Sequence, residues 1–492
     1  MKFKVFKQGN AADEFSLCGV YLFGPEGIPT RSAGPVTFKD GIIQCTKRNT
    51  EAAGIALLWP IEGFGRILLS TTRLPDKDIL YNLNVELARA KLMQITTKRE
   101  DWSLFDDSND SNGTGHEAQN FFIQAVQNIS EPPVAAKLAD ESLSKAMVFG
   151  EELTIRHAEM CFQARLKSRN FGRGSLGCCI DPKRITEPEY LEKLTGTFGF
   201  VTVPINWAQI EPWRGNWNFT MIDKCVEVLR RKRLAICIGP LLQFSARDVP
   251  QWLLAGEGGF EKIREAAFQF VTKITSRYSK HVHAWKVVSG INAMNCFGFG
   301  FEQVLEITRA ASLAARGTSD RSLKIIEITC PWGEYYADSP NTIPPLVYAD
   351  MVVQSGIGFD AFALPLEFGK NQPGMHLRDL MQVSAVIDRF ASLNRPLHIT
   401  AVAVPDRNGS GDDSCEKAGL WHSGWDESLQ GQWTEQLYKI ALSKPFVNTV
   451  TYSDFADIPD QKITGCGLLT GQLTPKKVFR VIGKLQKLIM NR

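Results

Sequence analysis

Hydrophobic and polar positions follow two regimes along this chain, and the change falls near Gly172. Up to about residue 80, apolar runs are short and separated by turn chemistry. Residues 1–7 alternate basic and apolar side chains and read as a first strand. Residues 17–23, 41–45, 54–59 and 65–71 follow, broken by Gly24-Pro25, Gly34-Pro35, Asp40-Gly41 and Pro60. The pattern predicts a small β-sandwich. Residues 82–102 then turn helical, with Leu83, Leu87, Ala90 and Met93 on or near one face. The Asp/Ser/Asn/Gly run at 106–115 predicts a linker, and helical segments at 116–170 are interrupted at Pro132-Pro133.

Beyond Gly172, strand-length apolar runs alternate with helical spacing. The strands are expected at 175–181, 200–206, 234–239, 283–289, 323–329, 359–365, 397–404 and 449–453. Between them, residues 261–278 set Ile263, Ala267, Phe270, Val271 and Ile274 at helical spacing. Thr474 and Pro475 predict the cap and first residue of a closing helix, with Val478, Val481, Ile482, Leu485, Leu488 and Ile489 on its apolar face. Such alternation predicts an α/β fold, a (β/α)8 TIM barrel preceded by an N-terminal β-sandwich-like domain and linking helices. The expected division is 1–105 for the β-rich domain and its helix, 106–170 for the connection, and 171–492 for the barrel.

Composition narrows the function classes. A chain of 492 residues exceeds one ordinary core. A net charge of +3, not gathered into a tail, gives no support to nucleic-acid or membrane binding. No apolar run approaches the ~20 residues of a transmembrane helix, and the N-terminus lacks the unbroken apolar core of a signal peptide. Eleven scattered cysteines without a C-x-x-C pair suit reduced thiols and a cytoplasmic location. Cys178-Cys179 reads as a pair of small buried residues. His281 and His283 share a strand face, but no acidic or cysteine partner completes metal-ligand spacing. Phosphate-loop, dinucleotide and serine-nucleophile motifs are missing, so neither a metal nor a cofactor is expected. The oligomeric state stays open.

Several motifs recur in a recognisable order. Residues 206–219, N-W-A-Q-I-E-P-W-R-G-N-W-N-F, look like W-x-x-I-E-P-x-x-G-x-W/F-x-F, with Asp223 after it. Residues 239–252 end in P-x-W, and Trp285-Lys286-Val287-Val288 looks like W-D-V-V. Phe359 to Ala363 looks like I-D-G-I-G, Ile399-Thr400 like the start of I-T-E-L-D, and Gly467-Leu468-Leu469 with Pro475-Lys476 like L-L-F followed by P-K-P. Taken together these pieces resemble glycoside hydrolase family 10, the endo-1,4-β-xylanases, over roughly residues 172–490. Residues 1–115 carry no resemblance to a family.

That resemblance implies a retaining glycosidase, whose two carboxyl groups stand about 5–5.5 Å apart. The departures fall on those groups. The family's acid/base Glu follows an Asn at the end of strand four, where this chain has Ser289 and Gly290. Its nucleophile Glu follows a Thr at the end of strand seven, where this chain has Ala401. The Lys of the second-strand motif is Asn206, and the His after strand six aligns with Glu367. The expectation is a family 10-like barrel that binds carbohydrate without the two-Glu mechanism. An active O-glycosyl hydrolase with relocated carboxylates and a structural or interaction protein stay open beside it.

Other acids lie near the expected active face: Asp181, Glu211, Glu327, Glu334, Glu367, Asp454 and Asp457. Glu327 sits inside the apolar run I-I-E-I-T and must be paired, hydrogen-bonded or shifted in pKa. It reads either as a general acid or as a structural carboxylate held inside the barrel mouth. With Glu367 on the next strand it forms the lead catalytic pair, suited to an inverting separation of about 6.5–9.5 Å. The expected ligand contacts are Asn206, Trp207, Glu211, Gln243, Asn292, Trp332, Glu334, His422, Trp425 and Asp457. Aromatic faces flanked by amides and carboxylates suit a sugar ring, and the loop at 405–432 brings His422 beside Trp421 and Trp425.

Overall fold

A computed structural model of the chain describes residues 1–31, 34–102, 113–256, 259–409, 415–459 and 461–490. The expected linker lies outside the described residues up to residue 112. The short N-terminal runs form two four-stranded sheets and a two-stranded ribbon. One sheet orders Thr37–Lys39, Ile42–Gln44, Lys2–Lys4 and Leu80–Asn82. The other is built on the hairpin Gly54–Ile61 and Gly65–Ser70, in register from Ala56↔Ser70 to Ile61↔Gly65. Gly54–Ile61 is buried at every position but Pro60, because the strand is covered on both faces.

The second sheet is completed from far along the chain. Leu420–Trp421, in the loop after the seventh barrel strand, pairs antiparallel with Arg66 and Gly65. Gly65 has φ +120°, and a Cβ there would stand 2.3 Å from the Leu420 carbonyl oxygen. Only glycine permits this approach.

Three helices follow: α1 (Leu83–Asp101), α2 (Thr114–Gln127) and α3 (Pro132–Lys167). The Asn82 side chain caps α1 by accepting from the Val85 N–H, and α3 starts at its prolines, where a missing N–H costs nothing.

The barrel closes in the order β1 (Leu176–Cys179), β2 (Phe200–Val203), β3 (Ala235–Ile238), β4 (Ala284–Ser289), β5 (Leu323–Glu327), β6 (Ala361–Glu367), β7 (Leu397–Ala403) and β8 (Val447–Tyr452). All neighbours are parallel, from β1–β2 round to β8–β1. Helices α4 (Pro188–Thr197), α5 (Thr220–Arg231), α6 (Phe260–Tyr278), α7 (Phe301–Thr318), α8 (Pro345–Gln354), α9 (Leu380–Ala391), α10 (Glu427–Ser443) and α11 (Lys477–Met490) surround it. The TIM barrel and the preceding strand-rich sheets are therefore as the hydrophobic pattern predicts.

Phe200, Cys237, Ala284, Ile325, Ala361 and Ala363 pack as one cluster inside the barrel. Along β2, β4 and β5, period-two alternation carries the inward row on to Thr202, Lys286 and Glu327, and β7 adds His398 and Thr400. The lumen is thus mostly small and apolar at the bottom, with His398 and Thr449 as polar exceptions, and polar toward the strand ends. Register shifts between Lys286 and Val288 and between Thr400 and Val402 mark irregularities that redirect side chains there.

The closing helix starts at Lys477, later than Thr474 and Pro475 suggest. Pro475 bridges Leu469, and the buried Lys476 ammonium lies 2.8 Å from Asp406 and 2.6 Å from Asp457. These contacts hold the preceding residues extended.

Candidate functional site

Chemistry-bearing side chains gather at the C-terminal ends of the strands, the functional face of such barrels. Glu327 ends β5 and is 5% exposed. Its Oε2 lies 2.6 Å from Lys286 Nζ, and Thr400 Oγ1 donates to the same oxygen. Ser289 Oγ donates to Oε1 at 2.7 Å. Burial alone would lower the Lys286 pKa, but the Glu327 charge and hydrogen bond outweigh it, and the pKa is raised. Glu327 is an ion-paired carboxylate with donors on both oxygens.

The two positions where the resemblance implies catalytic Glu differ in kind. Gly290 has φ +61°, and a Cβ there would stand 2.6 Å from Thr329 Oγ1 and 2.7 Å from Met294 Cε. A side chain there would press on both. Ala401 also has positive φ, +70°, uncommon for a residue with a Cβ.

Glu367 ends β6, and its Oε2 lies 2.5 Å from Lys462 Nζ, whose pKa that carboxylate raises. Ser453 Oγ stands 3.4 Å from Glu367 Oε1 and 3.2 Å from Asp454 Oδ2. Cys466 Sγ donates to Asp454 Oδ2 at 3.1 Å. Among the described residues no lysine or arginine pairs with Asp454. Burial pushes its pKa up, and Glu367 and Asp457 add to the shift. Glu327 and Glu367 thus hold separate lysines, while Glu367 and Asp454 share a serine.

A cavity of about 280 Å³ opens at the mouth. Cys179, Asp181, Thr202, Lys286, Thr400, Ala401, Thr451, Ser453 and Asp454 line it, with Pro182, Pro204, Pro240 and Phe455. Thr451 is 2% exposed, and its Oγ1 has no hydrogen-bond partner among the described residues.

The twelve expected site residues lie outside that lining. Asn206 caps a short helical turn by accepting from the Gln209 N–H at 3.1 Å, and it donates to Asp248 at 2.8 Å. Trp207 stacks on Phe270 and donates to Glu211 at 2.9 Å, and Glu211 also accepts from the Gly215 N–H at 2.9 Å. Gln243 is half-buried between Leu242 and Phe244, which bridge to Val288 and Asn295. Asn292 is fully buried and donates to the Tyr335 hydroxyl at 2.5 Å. Arg378 lies over the Trp332 ring and donates to both Glu334 and Tyr21, and Glu334 also accepts from the Gly374 N–H.

His422 and Trp421 both reach Glu151 of α3, at 2.8 and 2.7 Å, and His422 meets the Phe64 ring. The Trp425 N–H donates to Asn408, and Asp457 pairs with Lys476 and accepts from the Gly467 N–H. Asn206, Trp207, Glu211, Glu334, His422 and Asp457 thus satisfy polar groups of the loops around them.

Sequence reasoning did not single out Lys286, Thr400, Thr451 or Ser453 as site residues. The available signals were a lysine in an apolar strand and the alternation of Thr449, Thr451 and Ser453 along one strand face.

Residues 165–298 match the model of glycosyl hydrolase family 10. The fold is similar to that of xylanase 10B from Thermotoga petrophila RKU-1 in complex with xylobiose, at 17% identity and TM-score 0.51, over 66% of this chain and 96% of that one. Native xylanase 10B from Thermotoga maritima aligns at 18% identity and TM-score 0.51, over 67% and 99%. Xylanase10C from Cellvibrio japonicus in complex with xylopentaose aligns at 15% and 0.51, over 64% and 67%. At such identities the likeness is one of fold, and the barrel is family 10-like as the motif order implies.

Proposed function

We propose that this family 10-like barrel binds carbohydrate at its mouth without hydrolysing it. The observation that carries the reading is the state of Glu327, buried and ion-paired with Lys286 between Gly290 and Ala401 at the two strand ends. A retaining mechanism needs a nucleophile and a proton donor. Glu327 already holds an ammonium and two hydroxyls, and Gly290 supplies no side chain to donate a proton.

The mouth retains what binding needs. Thr202, Thr400, Thr451, Ser453, Asp181 and Asp454 border the cavity, and hydroxyl and carboxyl groups such as those of Ser453 and Asp454 hydrogen-bond the hydroxyls of a sugar. Similar barrels are described in complex with xylobiose and xylopentaose, which makes a β-1,4-linked sugar the first ligand to try. Eleven free cysteines suit a reducing compartment, the cytoplasm. Among the described residues no helix is long and apolar enough to cross a membrane.

Titration calorimetry with xylo- and gluco-oligosaccharides, run beside a reducing-end assay, tests the proposal. Saturable binding without new reducing ends is expected. Turnover that Glu327→Gln abolishes would overturn it.

A second reading, hydrolysis by relocated carboxylates, is favoured by the Glu367–Ser453–Asp454 chain. One acid there is held by a lysine and the other has a raised pKa, the kind of split that separates base from acid. This reading moves Glu367 from a pair with Glu327 to a pair with Asp454. It requires reducing-end release that is lost in both Glu367→Gln and Asp454→Asn.

A further inference from the structure

We infer that the mouth cavity takes the terminal unit of a neutral glycan, or a free monosaccharide, and not the interior of a chain. The inference rests on the mouth being a carbohydrate site and adds which part of the ligand enters it.

Size is the first ground. About 280 Å³ falls just below the ~300–1,000 Å³ of pockets that enclose drug-sized ligands. That is room for about one ring with its waters.

The second ground is where the wall comes from. The lining residues lie on or just after β1, β2, β3, β4, β7 and β8, and among the described residues β5 and β6 contribute none. The loops after β5 and β6 are occupied by the N-terminal sheets. Arg378 donates to the Tyr21 hydroxyl at 3.1 Å, and Arg31 lies 4.7 Å over the Tyr336 ring. The Leu68 N–H donates to the Leu377 carbonyl at 2.9 Å. From the opposite rim, Lys462 reaches Glu367 at the end of β6. A chain running across the mouth would have to break these contacts, whereas a chain ending in the cavity leaves them intact.

The third ground is charge and hydrogen bonding. Among the described residues the one cation in the lining, Lys286, is paired with Glu327, and the remaining acidic groups are Asp181 and Asp454. An anionic ligand would meet carboxyl groups and no free cation. Hydrogen bonds to a neutral ligand come from the Ser453 hydroxyl and the Asp454 carboxyl, which line the cavity at the end of β8.

Calorimetry on the full chain with D-xylose and xylohexaose, and with D-glucose and cellohexaose, tests this. For whichever sugar binds, monosaccharide and hexamer should differ in affinity by less than about threefold, and Ser453→Ala should weaken both at least about tenfold. Ser453→Ala removes a half-buried hydroxyl at the cavity wall, so its fold is expected to survive, and Asp454→Asn provides a second variant with the same expected loss. A larger gain from monosaccharide to hexamer overturns the end-on inference while leaving carbohydrate binding in place. Unchanged binding in both variants overturns the location. No binding by any of the four sugars overturns the inference and the carbohydrate reading together.

Discussion

A carboxylate buried at the end of a barrel strand keeps its charge only if a cation faces it, and for Glu327 that cation is Lys286. Breaking such a pair leaves an uncompensated charge in the lumen. Lys286→Met should destabilise the fold by about 3–5 kcal/mol in urea titrations, and Lys286→Met with Glu327→Leu should recover most of that loss. The need for a partner was legible in the sequence, because Glu327 interrupts an apolar run. Its identity was not, since it depends on the register Lys286↔Ile325 and Ser289↔Glu327 across an irregular strand pair. Gly290 was legible as a lost acid. That a side chain there would press on Thr329 and Met294 follows only from the packing. Gly290→Ala is expected to cost about 1–3 kcal/mol, by the same titrations.

At the scale of elements, the long periodic stretches were readable, and the short irregular ones were not. Eight strands and their helices announced themselves by alternation, whereas Leu420–Trp421 is two residues long and has no period. That short strand joins the barrel loop to the N-terminal sheet, and Glu151 of α3 holds it through Trp421 and His422. Glu151→Ala should lower the melting temperature and speed amide exchange in the loop around Trp421 before it affects the barrel strands. The helical layer carries a separate signature. Asp140 of α3 accepts from Asn84 at 2.8 Å, and burial pushes its pKa up to about 7. The folded chain therefore holds a proton that the unfolded chain releases near pH 4, and stability falls as pH rises from about 4 to about 7. Asp140→Asn should flatten that fall in melting temperatures compared at pH 5 and pH 8.

Across the whole molecule, a family 10-like barrel is joined to N-terminal elements that contact the loops after β5, β6 and β7. The barrel could be read from the order of its motifs, and the positions of the missing acids from their gaps. The mouth could not, because it is made by side chains from six strands whose inward rows meet only once the barrel closes. Residues that looked suited to a sugar, such as Trp207, Glu334 and His422, are held by their own loops or by the N-terminal elements. Unremarkable threonines and a serine face the cavity instead. The central claim is binding without cleavage, and the most direct measurement follows both in one sample: calorimetric binding of xylohexaose and cellohexaose, then reducing ends after prolonged incubation. The account predicts saturable binding of one of them and no new reducing ends. New reducing ends that disappear in Glu367→Gln, Asp454→Asn or Glu327→Gln would contradict it.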